Sequence, residues 1–134
     1  MTYIRDLEPF TLPSAEPEDG LTAVGWLAGG HPFARGDVPA KFVEALRELC
    51  RHPVHVTRGY VPCPFCAPRS PGLPADMTMV DSAAGRFGVG HAEIRVEDAG
   101  RRYAAPNMII HYVETHRYAP PPEFVAAVLR TARG

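Results

Sequence analysis

The chain has 134 residues, 46% of them apolar and 22% charged, and its 14 basic against 15 acidic side chains give a formal net charge of −1. That length suits one ordinary globular domain over residues 1–134 and is too short for two comfortable cores. The balanced charge excludes the strong positive field that duplex nucleic acid or an anionic membrane attracts, and the start, MTYIRDLEPF, lacks the basic opening and apolar middle of a secretion signal, so a cytoplasmic protein with neither nucleic acid nor membrane as partner is expected.

Residues 1–20, with LEPFTLPSAEPEDG, are rich in proline and acid and read as an extended arm with one short strand over 3–7. LTAVGWL, 21–27, is rich in β-formers and runs into AGGHPFARG, whose glycines and proline mark a loop. There His31 reads as a loop hydrogen-bonder rather than as part of a pocket with Trp26. From 37 to 51 the pattern is helical. Asp37 is placed to cap, Pro39 falls in the first turn, where its missing N–H costs nothing, and Phe42, Val43, Leu46, Leu49 and Cys50 recur at helical spacing. RHPVHVTRGYVP is an extended approach to a cysteine pair, and the proline-rich stretch 67–80 reads as a loop. HAEIRV alternates as a strand, EDAG turns and RRYAA returns, so 91–105 predicts a β-hairpin. Arg101 and Arg102 read as its solvated edge. Asn107 is placed to cap a helix over 108–116, the prolines from 120 to 122 end it, and a last helix turns Phe124, Val125, Val128 and Leu129 inward. The expected fold is α+β, a single small domain with a β-hairpin and about three helices.

Cys50, Cys63 and Cys66 are an odd number, and a reducing compartment favours metal ligation or redox chemistry over a disulfide framework. Cys50 lies on the apolar stripe of the first helix and reads as a small buried hydrophobe. Cys63 and Cys66 stand in RGYVPCPFC, a tight turn stiffened by prolines. Such a Cys-x-x-Cys pair sets two thiolates at two corners of a tetrahedron, and backbone N–H groups of the turn can bond the sulfurs. Downstream, HYVETH offers His111 and His116, a spacing within the range of the histidine half of a Cys2His2 zinc site. Positions five apart on a regular helix are rotated by about 140°, so the pairing requires the last turn, just before Pro120, to tighten or fray. Two thiolates balance the charge of Zn²⁺, which leaves a neutral site that can be buried. Residues 60–116 resemble the treble-clef arrangement of zinc-binding domains, with a longer insert after the knuckle and ligands late in the helix. Arg58, Tyr60, Glu93 and Glu114 are the candidates to surround the ligands.

Other readings of the same residues are weaker. A redox Cys-x-x-Cys ordinarily opens a helix in a thioredoxin-like βαβ setting, which the flanking prolines do not provide. HAE at 91–93 and PCPFC at 62–66 are the two pieces of the zinc-deaminase signature, but in reverse order and with HAEIRV patterned as a strand. HYVETH misses the inverted His-x-x-Glu-His protease motif by one residue, Thr115.

TRGYVPCPFC, AEIRV and YAAPNMIIHYVETHRYAPPPEF together resemble an uncharacterised family of small bacterial proteins with GYxxCxFC and HYVxxHxYxPPxEF blocks. The resemblance implies a single domain of unknown function in which Cys63, Cys66, His111 and His116 are the matching positions, and it supplies no substrate. Four protein ligands leave no coordination position for catalysis. The reading is therefore a structural Cys2His2 zinc site in a small interaction or ligand-binding module, with an unidentified protein or small molecule as partner and no catalytic residue. Two alternatives stay open. If His116 does not ligate, water takes the fourth position and Glu93 or Glu114 serves as general base of a zinc-dependent enzyme with hydrolase- or deaminase-like chemistry. A nucleic-acid-binding finger is the third class, disfavoured by the neutral charge.

Overall fold

The computed structural model describes residues 3–10, 20–57, 60–66 and 78–132. Arg58 and the stretch 67–77 lie outside the described residues, as do 11–19 of the expected arm. In chain order the elements are β1 (Leu21–Ala23), α1 (Ala40–Arg51), β2 (Thr78–Ser82), β3 (Gly85–Val89), β4 (Glu93–Asp98), β5 (Arg101–Pro106), α2 (Ile109–His116) and α3 (Pro122–Ala132). The α+β class and the three expected helices are thereby found. No described helix is long and apolar enough to cross a membrane.

The expected hairpin is the β4–β5 pair, joined by Ala99 and Gly100 at φ 52° and 80°. Two successive left-handed residues make the kind of turn whose twist matches that of paired strands. β1 adds in parallel on the other side of β5, giving the order β1-β5-β4. Hence β5 is the central strand, and the edge expected for Arg101 and Arg102 is not there: the second partner of the strand comes from residues far upstream, which local alternation cannot reveal. Arg101 instead reaches Glu123 of α3 at 2.8 Å.

A second hairpin, β2–β3, was not expected. Residues 78–80 open it instead of ending the proline-rich loop, and β3, GRFGV, carries two glycines that weaken any strand signal. At the N-terminus the strand expected over 3–7 is also absent. Leu7 turns at φ 71°, and the segment straps β1 through bonds such as Leu7 N–H to Ala23 O at 2.8 Å and Phe10 N–H to Leu21 O at 2.9 Å. Phe10 stacks on Trp26 with centroids 5.1 Å apart, and the Trp26 indole N–H donates to Ala104 O at 3.0 Å.

Neither expected side-chain cap forms. α1 starts after Pro39, two residues beyond Asp37, whose carboxylate pairs with Arg117 at 2.9 Å. α2 starts after Met108, and Asn107 is fully buried with Oδ1 accepting from Gly90 N–H at 2.9 Å. A buried amide serves better by satisfying an otherwise lost strand-end N–H than by capping.

The core collects the predicted stripes. Phe42, Leu46 and Cys50 of α1 are buried, as are Phe124 and Val128 of α3, and Val43, Leu49, Val125 and Leu129 pack at its margin. Cys50 is the small buried hydrophobe expected, and burial pushes its thiol far up. Phe124 meets Phe42 and Tyr103 edge to face at 6.3 and 5.5 Å, and burying each such ring contributes about 1.5–3 kcal/mol. α2 has Ile109, Ile110, Tyr112 and Val113 buried, so apolar contacts surround most of its circumference.

Residues 54–57 and 60–61 run along the start of β4. Val54 exchanges both backbone bonds with Glu93 at 2.7 and 2.9 Å, Thr57 N–H reaches His91 O at 2.7 Å, and Val61 N–H reaches Gly90 O at 2.8 Å. At Gly90 the chains nearly touch: φ is +106° and a Cβ would stand 2.6 Å from Val61 O. Gly90→Ala is therefore expected to lower unfolding free energy by about 2–3 kcal/mol, read from urea denaturation; a loss within error of zero would mean that this approach is not tight.

Candidate metal centre

Val61, held to Gly90, delivers the chain into the turn Cys63-Pro64-Phe65-Cys66. Phe65 folds this turn inward. Its ring lies 5.1 Å from Phe33, 5.7 Å from Tyr112 and 5.5 Å from His116, and its N–H points at Cys63 Sγ at 3.4 Å. The apolar plug and the N–H···S contact set Cys63 inside and leave Cys66 at the surface.

The helix meets the turn with its last residues. α2 stays helical to His116 and then stops at Arg117, which is left-handed at φ 58° and ψ 27°. Tyr118 N–H closes back on Tyr112 O at 3.1 Å. This is how an L-residue replaces the usual glycine at a helix end. Fully buried Tyr118 then locks the exit, donating its hydroxyl proton to Asp6 at 2.6 Å. The helix therefore does not loosen before His116. The two rings, 5.1 Å apart and 75° to each other, converge through side-chain reach instead.

The four groups named in the sequence come together. Cys63 Sγ is 3.3 Å from His116 Nε2, and Cys66 Sγ is 3.3 Å from His111 Nε2 and 3.6 Å from His116 Nε2. All four donor atoms lie within 4.8 Å of one another. Zinc bonds of about 2.3 Å to sulfur and 2.0–2.1 Å to nitrogen at tetrahedral angles imply edges of about 3.6 Å for S···N and about 3.8 Å for S···S. The S···N spacings of 3.3, 3.3 and 3.6 Å come close to that edge, with both imidazoles offering Nε2. The residues present thus fit a tetrahedral divalent cation, and the soft thiolates favour zinc over hard cations.

The electrostatics suit the same chemistry. Burial, and secondly the neighbouring His116, holds His111 below its ordinary range; burial, and secondly Arg35, does so for His116. Both shifts favour the neutral, metal-binding imidazole. Burial pushes the Cys63 thiol up; the Phe65 N–H, and after it the Cys66 N–H, opposes this, while the Cys66 side chain adds to it. A cation reverses that balance, since a coordinating thiol is deprotonated outright. Burial also pushes Tyr112 far up, so its phenol stays neutral beside the sulfurs.

The surrounding candidates scatter. Glu93 pairs with Arg95 at 2.8 Å and Tyr60 packs on His91 with centroids 4.7 Å apart. Glu114 pairs with Arg47 at 2.6 Å and opposes the lowering of His111. Thr115 was named only for breaking the protease motif and not as a site residue: its hydroxyl lies 3.3 Å from His111 Nδ1, one helical turn away, where it can orient the ring with Nε2 on a metal. The i,i+4 spacing was the available signal, and the residue that spoils the protease motif is the one that steadies the ligand. The Phe33–Phe65 contact carried no sequence signal, because it joins two loops.

The chain belongs to the family described as Domain of unknown function (DUF7919), whose model matches residues 2–129. No curated protein and no solved structure matches the chain.

Each thiol that binds metal as thiolate must first lose its proton, because cysteine ordinarily titrates near 8.5. Zinc binding at pH 7 is expected to release about two protons, read by calorimetry in buffers of different ionisation enthalpy; no proton release would exclude thiolate ligation. The histidines add the acid limb. Their folded values lie below the unfolded ones, so the unfolded chain takes up protons first as pH falls, and stability present above about pH 6.5 is lost on acidification.

Proposed function

We propose that this DUF7919 domain is a structural zinc module: one Zn²⁺ held by Cys63, Cys66, His111 and His116 fastens the knuckle to the end of α2, and the domain acts by binding a partner or small ligand rather than by catalysis. The observation that carries this reading is the convergence of the four donor atoms within 4.8 Å, with S···N distances of 3.3 to 3.6 Å close to a tetrahedral edge. Four protein ligands fill a tetrahedral ion and leave water no place.

The catalytic alternative requires His116 to stand aside and a carboxylate to serve the metal-bound water. His116 Nε2 instead approaches both sulfurs, at 3.3 and 3.6 Å. Glu93 and Glu114 are each held by an arginine, Arg95 and Arg47. These contacts favour the structural site.

Metal in such a site is folding energy, on the order of 10 kcal/mol in zinc-finger peptides. The purified protein is expected to hold one zinc per chain, and its cobalt form to show the intense visible bands of a tetrahedral thiolate complex, unchanged by added anions. Strong chelation and Cys63→Ala are each expected to lower the melting temperature sharply. Cys50→Ala, a core truncation outside the cluster, should cost only about 1–2 kcal/mol. Equal, small losses in the two cysteine variants, or an anion-sensitive cobalt spectrum, would defeat the structural reading.

A further inference from the structure

The two sulfurs of the candidate centre differ in access. Cys66 is exposed, whereas Cys63 is only 7% exposed, and Cys50, the third thiol, is fully buried and outside the cluster. A reagent arriving from solvent therefore meets Cys66 first, with the Cys63 sulfur within 4.8 Å of it on the same turn. Cysteine oxidation follows thiolate character and exposure, and it stays reversible where a second cysteine stands ready to resolve the first. Bound Zn²⁺ would supply the thiolate character, since it holds its sulfurs deprotonated. The turn supplies the second cysteine. A dithiol that cycles as an oxidoreductase ordinarily opens a helix in a thioredoxin-like setting, but a stoichiometric oxidation that dismantles a metal site needs only access and a partner sulfur.

We infer that the knuckle is a peroxide-sensitive switch, in which hydrogen peroxide oxidises Cys66, Cys63 resolves it as a disulfide, and the metal leaves. The inference rests on the reading of the four side chains as a zinc site and adds how that site is regulated. The Cys66 thiolate attacks one peroxide oxygen and the O–O bond breaks; the departing oxygen takes a proton and leaves as water, and Cys66 becomes a sulfenic acid. The Cys63 thiolate then attacks that sulfur. The S–S bond forms as the S–O bond breaks, and the hydroxide takes a second proton and leaves as water. Two electrons have passed from the sulfurs to the peroxide. Because the thiolate is the form that ligates, the disulfide leaves Zn²⁺ with His111 and His116 alone. Nor does the new bond replace the lost one. The metal would tie together positions 45 and 53 apart, whereas the disulfide closes a loop of only four residues, and constraint on the chain falls with loop length. Oxidation thus unties the knuckle from the end of α2 and leaves the Phe65 ring, against Phe33 and Tyr112, to hold the turn.

Zinc-loaded, full-length wild-type protein treated with excess hydrogen peroxide tests it, with no variant whose folding is in question. A zinc-sensitive dye should report release of one zinc per chain. Mass spectrometry of the denatured product should find it two hydrogens lighter, with the disulfide between Cys63 and Cys66 and with Cys50 still open to alkylation as a free thiol. Dimedone, which caps sulfenic acids, should be found on Cys66 and not on Cys63 when present during the reaction. The oxidised protein should melt with the chelated form, below the zinc form, and reductant with added zinc should restore the original melting temperature. Zinc retained under excess peroxide, a disulfide that includes Cys50, zinc release with a sulfinic acid in place of the disulfide, dimedone on Cys63, or an oxidised form that melts with the zinc form would each overturn the inference. Zinc measured before oxidation separates the claims: a zinc-loaded protein that peroxide leaves intact refutes the switch alone, and reduced protein that never takes up zinc refutes the metal site and the switch with it.

Discussion

Burial around most of α2 is the constraint on which the rest of the structure depends. With Ile109, Ile110, Tyr112 and Val113 all buried, the helix can neither roll nor slide without tearing several apolar contacts at once, and packed interiors resist such shifts. Its two histidines are therefore fixed in direction by residues that take no part in ligation. Gly25 shows how close the fit is, since a Cβ there would stand 2.8 Å from the end of Ile109. Tyr118, buried and bonded to Asp6, pins the point at which the chain leaves the helix. The donor cluster is the result of this framework, to which the knuckle is added.

The knuckle is attached differently. Its regular bonding among the described residues is slight, the Phe65 and Cys66 N–H groups turned on Cys63 Sγ and the link from Val61 to Gly90, and its position comes mainly from Phe65 lodged among Phe33, Tyr112 and His116. A bound cation would add charge-assisted bonds where the apolar plug alone holds the turn. The candidate centre thus joins the least regular described segment to the most buried helix. The same two elements, through Val61, Met108 and Tyr112, also wall a cavity of about 240 Å³, so a change in one place has a short mechanical path to the other.

Much of the fold was legible because it follows from local rules. The apolar stripes of α1 and α3, the alternation of β4 and the turn that joins it to β5 need only nearest-neighbour chemistry, and each lies where the pattern places it. Most of the errors come from partners far along the chain, and one from local composition. β2–β3 was hidden by glycines, the central place of β5 by the distance to β1, and the fates of Asp37 and Asn107 by partners far along the chain, Arg117 and Gly90. A short polar side chain near a helix start has several uses, and long-range hydrogen bonds decide among them.

By itself the sequence determined the chemistry available: which four side chains have the donor atoms for a soft divalent cation, on which local elements they sit, and that Cys50 is not among them, because its helical stripe sends it into the core. Only the tertiary structure decided that the two pairs meet. Cys63 and His116 are 53 positions apart, and Cys66 and His111 are 45 apart, so their meeting depends on how α2 packs and where its end is pinned. It likewise decided that Asn107 is buried with its Oδ1 accepting from the Gly90 N–H, because burial is a property of the assembled core and has no counterpart in the order of residues along the chain.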